Sequence, residues 1–396
     1  LRGNALALAL ADESVDLIVT SPPYFGLRSY QDGGEHYAGQ IGDEPTPAEF
    51  VDALIAATAE MVRVLKPSGS IWVNLGDKYA SGGRTSYDRT DINGERGGAS
   101  RPQDGARPKS LLGIPWRYAI RCIDDLGLIL RAEVIWSKPN GLPESVTDRV
   151  RRSHEQWFHF TREPRYFSAV DEIREATNPE NDAHAARYRE AARTYGRAAT
   201  DSHPRADGNG NGIFTPNPLG KLPGSVWTIP TEPLHVPDHL GIDHFAAFPT
   251  EWPRRIIQGW SPRGICTECG EGRRPVTHID RVTRNEGPGG LSVKNGDERG
   301  VSAKSMLRTN KIPLTTITGE ACACPEPTAP TRPAVVLDPF GGTGTTALVA
   351  KALGRHGISN DMSADYCRLA GWRTTDPKQL AKAARRPFVP PAEQTE

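Results

Sequence analysis

The stretch VDLIVTSPPYFGLRSY, Val15 to Tyr30, decides how this chain is read. Val15, Leu17, Ile18 and Val19 form an apolar, largely β-branched run suited to a strand covered on both faces, and the run stops at Ser21-Pro22-Pro23-Tyr24. Two successive prolines set φ and supply no N–H, so the turn keeps carbonyls available as acceptors. Ser21 adds a hydroxyl, and Tyr24 a flat ring able to lie on a planar substrate. Such a turn can clamp the amino group of an aromatic ring. The competing interpretation is a proline turn with a packing tyrosine.

A second stretch, PAVVLDPFGGTGTTALVAKALG from Pro333 to Gly354, shifts the balance. It reads as strand, glycine loop and helix. Val335 to Leu337 are the apolar run, Asp338 stands at the strand's carboxyl end, and Gly341, Gly342 and Gly344 permit close approach of backbone to a ligand. Leu348, Val349, Ala352 and Leu353 make a helical stripe that Gly354 ends. The full dinucleotide fingerprint is absent, and no Gly-Lys-Ser/Thr follows that would make a P-loop. Gly357, Ile358 and Ser359 then predict a short second strand leading to Asp361, about 20 residues past the glycine loop, where a βαβ unit reads ribose hydroxyls. A solvated loop aspartate is the bland alternative.

Thr20-Ser21-Pro22-Pro23-Tyr24, followed far along the chain by Asp338-Pro339-Phe340-Gly341-Gly342-Thr343-Gly344-Thr345, resembles the S-adenosylmethionine-dependent DNA amino-methyltransferases, in the permuted order that puts the catalytic motif before the cofactor motif. The resemblance runs from Gly3 to about Arg162 and from about Ser225 to Ala370. It implies an α/β, Rossmann-like methyltransferase fold with a mostly parallel central sheet. It implies catalytic roles for Ser21, Pro22, Pro23 and Tyr24, and a cofactor site at Asn4, Asp338, Phe340, Gly341, Gly342, Gly344, Thr345 and Asp361. Asn4 stands where the family carries an acidic residue thought to contact adenine; a plain turn residue is the equal alternative.

The chemistry expected of the clamp follows from the exocyclic amine. Its lone pair is delocalised into the base, so acceptors must hold its hydrogens before the nitrogen can attack a sulfonium methyl. Ser21 Oγ and the Pro22 carbonyl are assigned that task, with Tyr24 stacked on a base flipped out of the duplex. Serine in place of aspartate or asparagine favours cytosine-N4 over adenine-N6. A related class that methylates protein glutamine or RNA bases through Asn-Pro-Pro-Tyr places its cofactor motif first. A catalytically idle DNA-binding module of the same fold is the remaining alternative.

The chain has 396 residues, enough for a substantial core, and a formal net charge of zero, so any contact with double-stranded DNA needs a local basic patch. With 40 glycines, 34 prolines and 37% hydrophobic residues, long loops are expected. There is no apolar run long enough to cross a bilayer and no signal peptide, so no membrane association is expected and the cytoplasm is the default compartment. Leu1 opens the chain, and an initiating methionine is expected upstream. Neither the oligomeric state nor a cognate restriction nuclease is legible.

Residues 1–162 are expected to be the catalytic half, 163–224 a target-recognition insert, and 225–265 a cofactor-side segment in which His244, Phe245, Phe248 and Pro249 resemble the family motif beside the cofactor's methionine end. Residues 325–375 form the S-adenosylmethionine half, and 376–396 a short helix with a disordered end. Within the first half, Thr46-Pro47-Ala48-Glu49 predicts a capped helix buried through Phe50, Leu54, Ala57, Met61 and Leu65, then a Pro67-Ser68-Gly69 turn. Pro115, Trp116, Ala119, Ile120, Ile123 and Leu126 predict a second helix that ends at Gly127. Trp136 and Lys138 are placed at the DNA cleft or in the core, and Asp77 and Tyr79 at the border of the site or in a structural role. The loop from Arg28 to Asp43 is expected to be mobile, and the arginine-rich 80–109 segment to be solvated or to touch DNA.

Residues 266–324 carry a cysteine constellation. Cys266-Thr267-Glu268-Cys269 has knuckle spacing, and Cys322-Ala323-Cys324 can complete a four-thiolate, zinc-ribbon-like site for structural zinc. Unpaired loop cysteines or a redox pair are the alternatives, while Cys122 and Cys367 are read as buried hydrophobes. Between the pairs, Arg273, Arg274, Arg281, Arg284, Lys294, Arg299, Lys304, Arg308 and Lys311 suit a phosphate-contacting surface or a solvated loop.

Overall fold

All six residues of Val15–Thr20 are buried, as a strand with covered faces requires, and they form β1 in the middle of a seven-stranded sheet. This computed structural model describes residues 1–26, 31–32, 35–36, 39–80, 106–141, 143–176, 219–242, 247–284, 310–324 and 329–388. The other strands are β2 (Leu65–Leu75), β3 (Ile129–Ser137), β4 (His154–Thr161), β5 (Val226–Thr228), β6 (Val335–Asp338) and β7 (His356–Ser359). Their spatial order is β7-β6-β1-β2-β4-β3-β5. Strand β4 runs antiparallel to both neighbours, and every other pairing is parallel.

From β1 the chain proceeds outward to β2, and from β6 it proceeds the opposite way to β7. The order therefore reverses between β1 and β6, and in open α/β sheets ligand sites lie at the carboxyl ends of the strands flanking such a reversal. Both key motifs begin at those two ends. Leu17 pairs with Val336 and Ile18 with Leu337, which fixes the register.

Helix α1 (Pro47–Val64) starts on the expected capping box: Glu49 N–H donates to Thr46 Oγ1 at 3.2 Å, and Thr46 N–H donates to Glu49 Oε2 at 3.1 Å. It buries Phe50, Leu54 and Met61 beside Val15, Ile18, Ile71 and Val73 of the sheet. The helix stops one residue before Leu65, which already belongs to β2. Pro67-Ser68-Gly69 is a bulge within that strand and not a separate turn, since Val15 pairs with Leu65 while Leu17 pairs with Ser70.

The second helix is α2 (Ile114–Asp124). It buries Ile114, Pro115, Tyr118, Ala119 and Cys122, while Trp116, Ile120 and Ile123 are exposed. The Tyr118 hydroxyl lies 2.9 Å from Thr58 Oγ1 in α1, which fixes the packed face. Two apolar stripes run along this helix, and only packing selects between them. Burial pushes the Cys122 thiol up to about 12. Cys367 corrects the other expectation, being half-buried with its thiol donating to the Leu1 carbonyl at 3.2 Å.

The opposite face is covered by α3 (Glu251–Trp260), α4 (Thr345–Ala352) and α6 (Pro377–Ala383), with α5 (Ala364–Thr375) beside them. Its centre is an aromatic cluster. Trp157 stacks on Trp252 at 4.8 Å, Trp227 on Trp252 at 4.9 Å, and Trp72 on His159 at 4.5 Å. Trp136 is part of this core, with Nε1 donating to the Ile229 carbonyl at 2.7 Å, so it does not face a cleft.

Burial, aided by Arg131, holds the His159 imidazole down to about 3, so it stays neutral in the fold. The unfolded imidazole takes a proton near its ordinary value, so stability is present above that value and declines as pH falls towards 3. Between pH 7 and pH 5 this costs about 2 kcal/mol, read by urea unfolding, and His159→Gln flattens the dependence. An unchanged slope in the variant excludes this origin.

By compactness the chain divides into one unit of Leu1–Ile173, Gly224–Arg274 and Cys322–Glu396, and a second of Arg174–Pro223 and Pro275–Ala321. The described part of the second contains a two-stranded ladder of Arg274–Arg284 with Asn310–Ala321, and a bridge between Glu175 and Lys221. Most of the 163–224 insert and the basic residues Lys294 to Arg308 lie outside the described residues, as do Arg28, the 81–105 segment, His244 and Phe245. No described helix is long and apolar enough to cross a membrane.

Candidate active site

Asp338 joins the two motifs. Thr20, the last residue of β1, donates from Oγ1 to Asp338 Oδ1 at 2.6 Å. Thr346, in the first turn of α4, donates to Asp338 Oδ2 at 2.9 Å, and the Phe340 N–H reaches Oδ1 at 3.2 Å. Burial pushes this carboxyl up to about 6 despite those donors. Ser21 and the glycine loop are therefore held to one buried group.

The loop is shaped by what a side chain would hit. A Cβ on Gly341 would lie 1.9 Å from Ser359 Oγ, and one on Gly344 would lie 2.6 Å from Ala370 Cβ with φ already at +74°. Gly342 N–H donates to Asp361 Oδ2 at 2.8 Å, which sets that half-buried carboxylate beside the loop. Thr345 is buried, and its hydroxyl, like that of Thr343, accepts from Arg373, whose guanidinium burial lowers to about 10. Arg373 also lines a cavity with Phe248, Thr250 and Leu348, bringing the 247–250 segment beside the loop. Asn4 is exposed, and its Oδ1 accepts the Leu6 N–H at 2.9 Å in a local turn.

On the Ser-Pro-Pro-Tyr side, Asn74 of β2 is the centre. Its Nδ2 donates to the Gln156 carbonyl at 3.1 Å, which turns Oδ1 towards Ser21 Oγ at 3.3 Å and Tyr24 Oη at 2.8 Å. Tyr24 Oη also lies 2.7 Å from Glu155 Oε2, and Glu155 pairs with Lys138, whose ammonium sits over the Trp136 ring. The Tyr24 ring lies on Gly76, where a Cβ would be 2.6 Å from Cε2. Pro22 is buried and Pro23 half-buried beside it. Lys78 donates to the Gly26 carbonyl at 2.9 Å and closes the turn; burial lowers its ammonium below the ordinary range.

Asn74, Glu155 and Thr346 were not singled out by the sequence, and Thr20 was named within its motif without a role. Asn74 left one signal, an amide inside the apolar run Ile71 to Leu75. Asp77 takes a structural role, accepting the N–H groups of Gly113 and Ile114 at 3.1 and 3.2 Å, and Tyr79 packs under the Arg149 guanidinium.

The cysteine constellation closes on itself. The four Sγ atoms of Cys266, Cys269, Cys322 and Cys324 all lie within 4.8 Å of one another. Backbone N–H groups of Cys269 and Glu268 aimed at Cys266 Sγ hold its thiol down to about 6.

The family model described as DNA methylase, covering the N6 and N4 enzymes, matches residues 15–266 and 330–371. The Type II methyltransferase M.Cfr9I of Citrobacter freundii is 36% identical over 260 residues, covering 65% of this chain and 70% of that protein. M.SmaI of Serratia marcescens is 43% identical over 176 residues, 44% of this chain; the chain spans 58% of that relative's length. Among solved structures, the PvuII DNA methyltransferase (cytosine-N4-specific) superposes with a TM-score of 0.51 at 17% identity, covering 97% of this chain and 90% of that one, and shares the fold. With the matched segments holding both the Ser-Pro-Pro-Tyr turn and the glycine loop, this chain belongs to the N6/N4 DNA methylase family.

Proposed function

We propose that this chain is an S-adenosylmethionine-dependent methyltransferase of the permuted type acting on double-stranded DNA, with the exocyclic N4 amine of a flipped cytosine as its target. The observation that carries this is the 2.6 Å bond from Thr20 Oγ1 to Asp338 Oδ1, which ties the turn that would hold the amine to the loop that would hold the methyl donor.

The glycine loop fits such a cofactor in form: with no side chain at Gly341 it lies directly on the end of β7, beside the Asp361 carboxylate. Phe340, Gly341, Gly342 and Asp361 are proposed to contact it, Asp361 through ribose hydroxyls. Asp338, Gly344 and Thr345 hold the loop's shape, and Asn4 borders the adenine end. When bound, the cofactor supplies an electrophilic methyl group on a sulfonium centre.

The rest is done by the chain. Asn74 Oδ1 is an acceptor, so it claims the Ser21 hydroxyl proton and leaves the Oγ lone pairs for one N–H of the amine. The Pro22 carbonyl takes the other, Pro23 stiffens the turn, and Tyr24, pinned on Gly76, presents its ring to the base. With both hydrogens held, the nitrogen lone pair is localised and aimed; were the methyl transferred, its bond to sulfur would break as the bond to nitrogen forms and one of the two held protons would leave to solvent, with rate from positioning and matched dipoles. Serine, a neutral acceptor, carries the preference for cytosine.

On the same proposal the 163–224 insert reads the target sequence, the basic 273–311 stretch meets phosphates, the four cysteines hold structural zinc, and a restriction nuclease of the same specificity is the functional partner of a cytoplasmic enzyme. Mass spectrometry of nucleosides from duplex DNA incubated with the chain and S-adenosylmethionine tests the proposal. N4-methylcytosine is expected; N6-methyladenine overturns the base assignment, and cofactor binding without modified DNA overturns the substrate.

A further inference from the structure

We infer that the four-thiolate centre is a zinc latch that closes the 275–321 excursion at its root and takes no part in methyl transfer. Two cysteines precede the excursion and two follow it, so one ion there closes a loop of roughly 50 residues that chain entropy otherwise holds open. All four sulfurs lie within 4.8 Å of one another, and a tetrahedron of 2.3 Å zinc–sulfur bonds has edges of about 3.8 Å. A small contraction suffices. Disulfides use sulfurs two at a time and give no reason for all four to converge.

The backbone around the sulfurs is built and anchored. Gly270, at φ +74°, turns the chain so that its N–H reaches the Cys266 carbonyl at 3.0 Å, and Cys266 N–H donates to the Glu271 carbonyl at 2.9 Å. Cys266 pairs with Thr331, and both the N–H and the hydroxyl of Thr267 donate to the Pro330 carbonyl at 3.0 Å. Ala323 N–H reaches Glu271 Oε2 at 3.3 Å, linking the second pair of cysteines to the first.

The excursion needs such an anchor. Its described ladder has two strands and leaves Val276 and Ile317 exposed, and an isolated two-stranded ladder is marginal in water. Location separates the latch from the chemistry. Thr331 precedes the amino end of β6, whereas Asp338 and the glycine loop stand at its carboxyl end, about seven residues or on the order of 20 Å of near-extended chain away. The latch therefore stands whether or not the chain methylates DNA.

The full chain, purified without chelator, is expected to carry one zinc per molecule by atomic emission, and cobalt(II) in its place to give thiolate charge-transfer bands. Cys322→Ser with Cys324→Ser abolishes both, while Cys367→Ser keeps them. Stripping zinc from the wild-type chain raises tryptic cleavage at Arg281, Arg284, Lys294, Arg299, Lys304 and Arg308 at least tenfold and leaves S-adenosylhomocysteine affinity within twofold. Two disulfides, or four thiols titrating freely without metal, overturn the site. Unchanged cleavage overturns the latch, and loss of cofactor affinity together with the metal overturns its independence.

Discussion

Ser21→Ala is expected to lower the single-turnover rate of methyl transfer about 10²–10³-fold while leaving S-adenosylhomocysteine affinity unchanged, the scale seen when one preorganised hydrogen-bonding group is removed from a transition state. The side chain's neighbours make the effect specific. Its proton is directed to Asn74 Oδ1, whose own orientation is set by the bond from Nδ2 to the Gln156 carbonyl. Alanine removes the outward lone pairs and the bond to Asn74 Oδ1 but leaves the tie to the glycine loop in place, because that connection runs through Thr20. Asn74→Ala should show a smaller loss of rate, since it frees the serine proton without deleting the acceptor. Measurement pairs single-turnover kinetics with calorimetry of the cofactor product. A Ser21→Ala enzyme at full rate removes the clamp from the mechanism, and one that no longer binds cofactor places Ser21 in the wrong half of the site.

Trp252→Ala should destabilise the fold by about 3–5 kcal/mol, a large share of the roughly 5–15 kcal/mol that holds a domain together. Trp252 is fully buried at the amino end of α3, stacked on Trp157 and Trp227 and edge-on to Trp136 at 5.8 Å. Aromatic contacts of this kind add about 0.5–1.5 kcal/mol each beyond the area they bury. One observation separates shape from polarity. Its Nε1 is buried and has no hydrogen-bond partner among the described residues, so the indole carries a desolvation cost that its packing must outweigh. Trp252→Phe keeps most of the volume and removes that N–H, and should recover most of the loss. Urea unfolding reads both variants, and a loss under about 1 kcal/mol for Trp252→Ala means this cluster does not hold α3 to the sheet.

The local elements were legible in the sequence. Four apolar positions, Val15, Leu17, Ile18 and Val19, lead into Ser-Pro-Pro-Tyr and favour a covered strand with a rigid turn, Thr46 to Glu49 can only cap a helix well, and Gly341 and Gly344 mark a loop that side chains would block. Those signals act within a few residues, where backbone sterics and hydrogen-bond supply settle the outcome. The cysteine spacing was legible for the same reason.

Which groups meet across the chain was settled by packing. Thr20 and Asp338 are 318 residues apart, and their contact exists because β1 and β6 pair in one register. Asn74 became the centre of the clamp because β4 lies against β2 and offers the Gln156 carbonyl to its amide. The buried face of α2 was set by Tyr118 meeting Thr58, although a second apolar stripe on the same helix was equally available. Strand register and helix rotation are chosen by how distant surfaces fill one core, and no single stretch of chain contains that information.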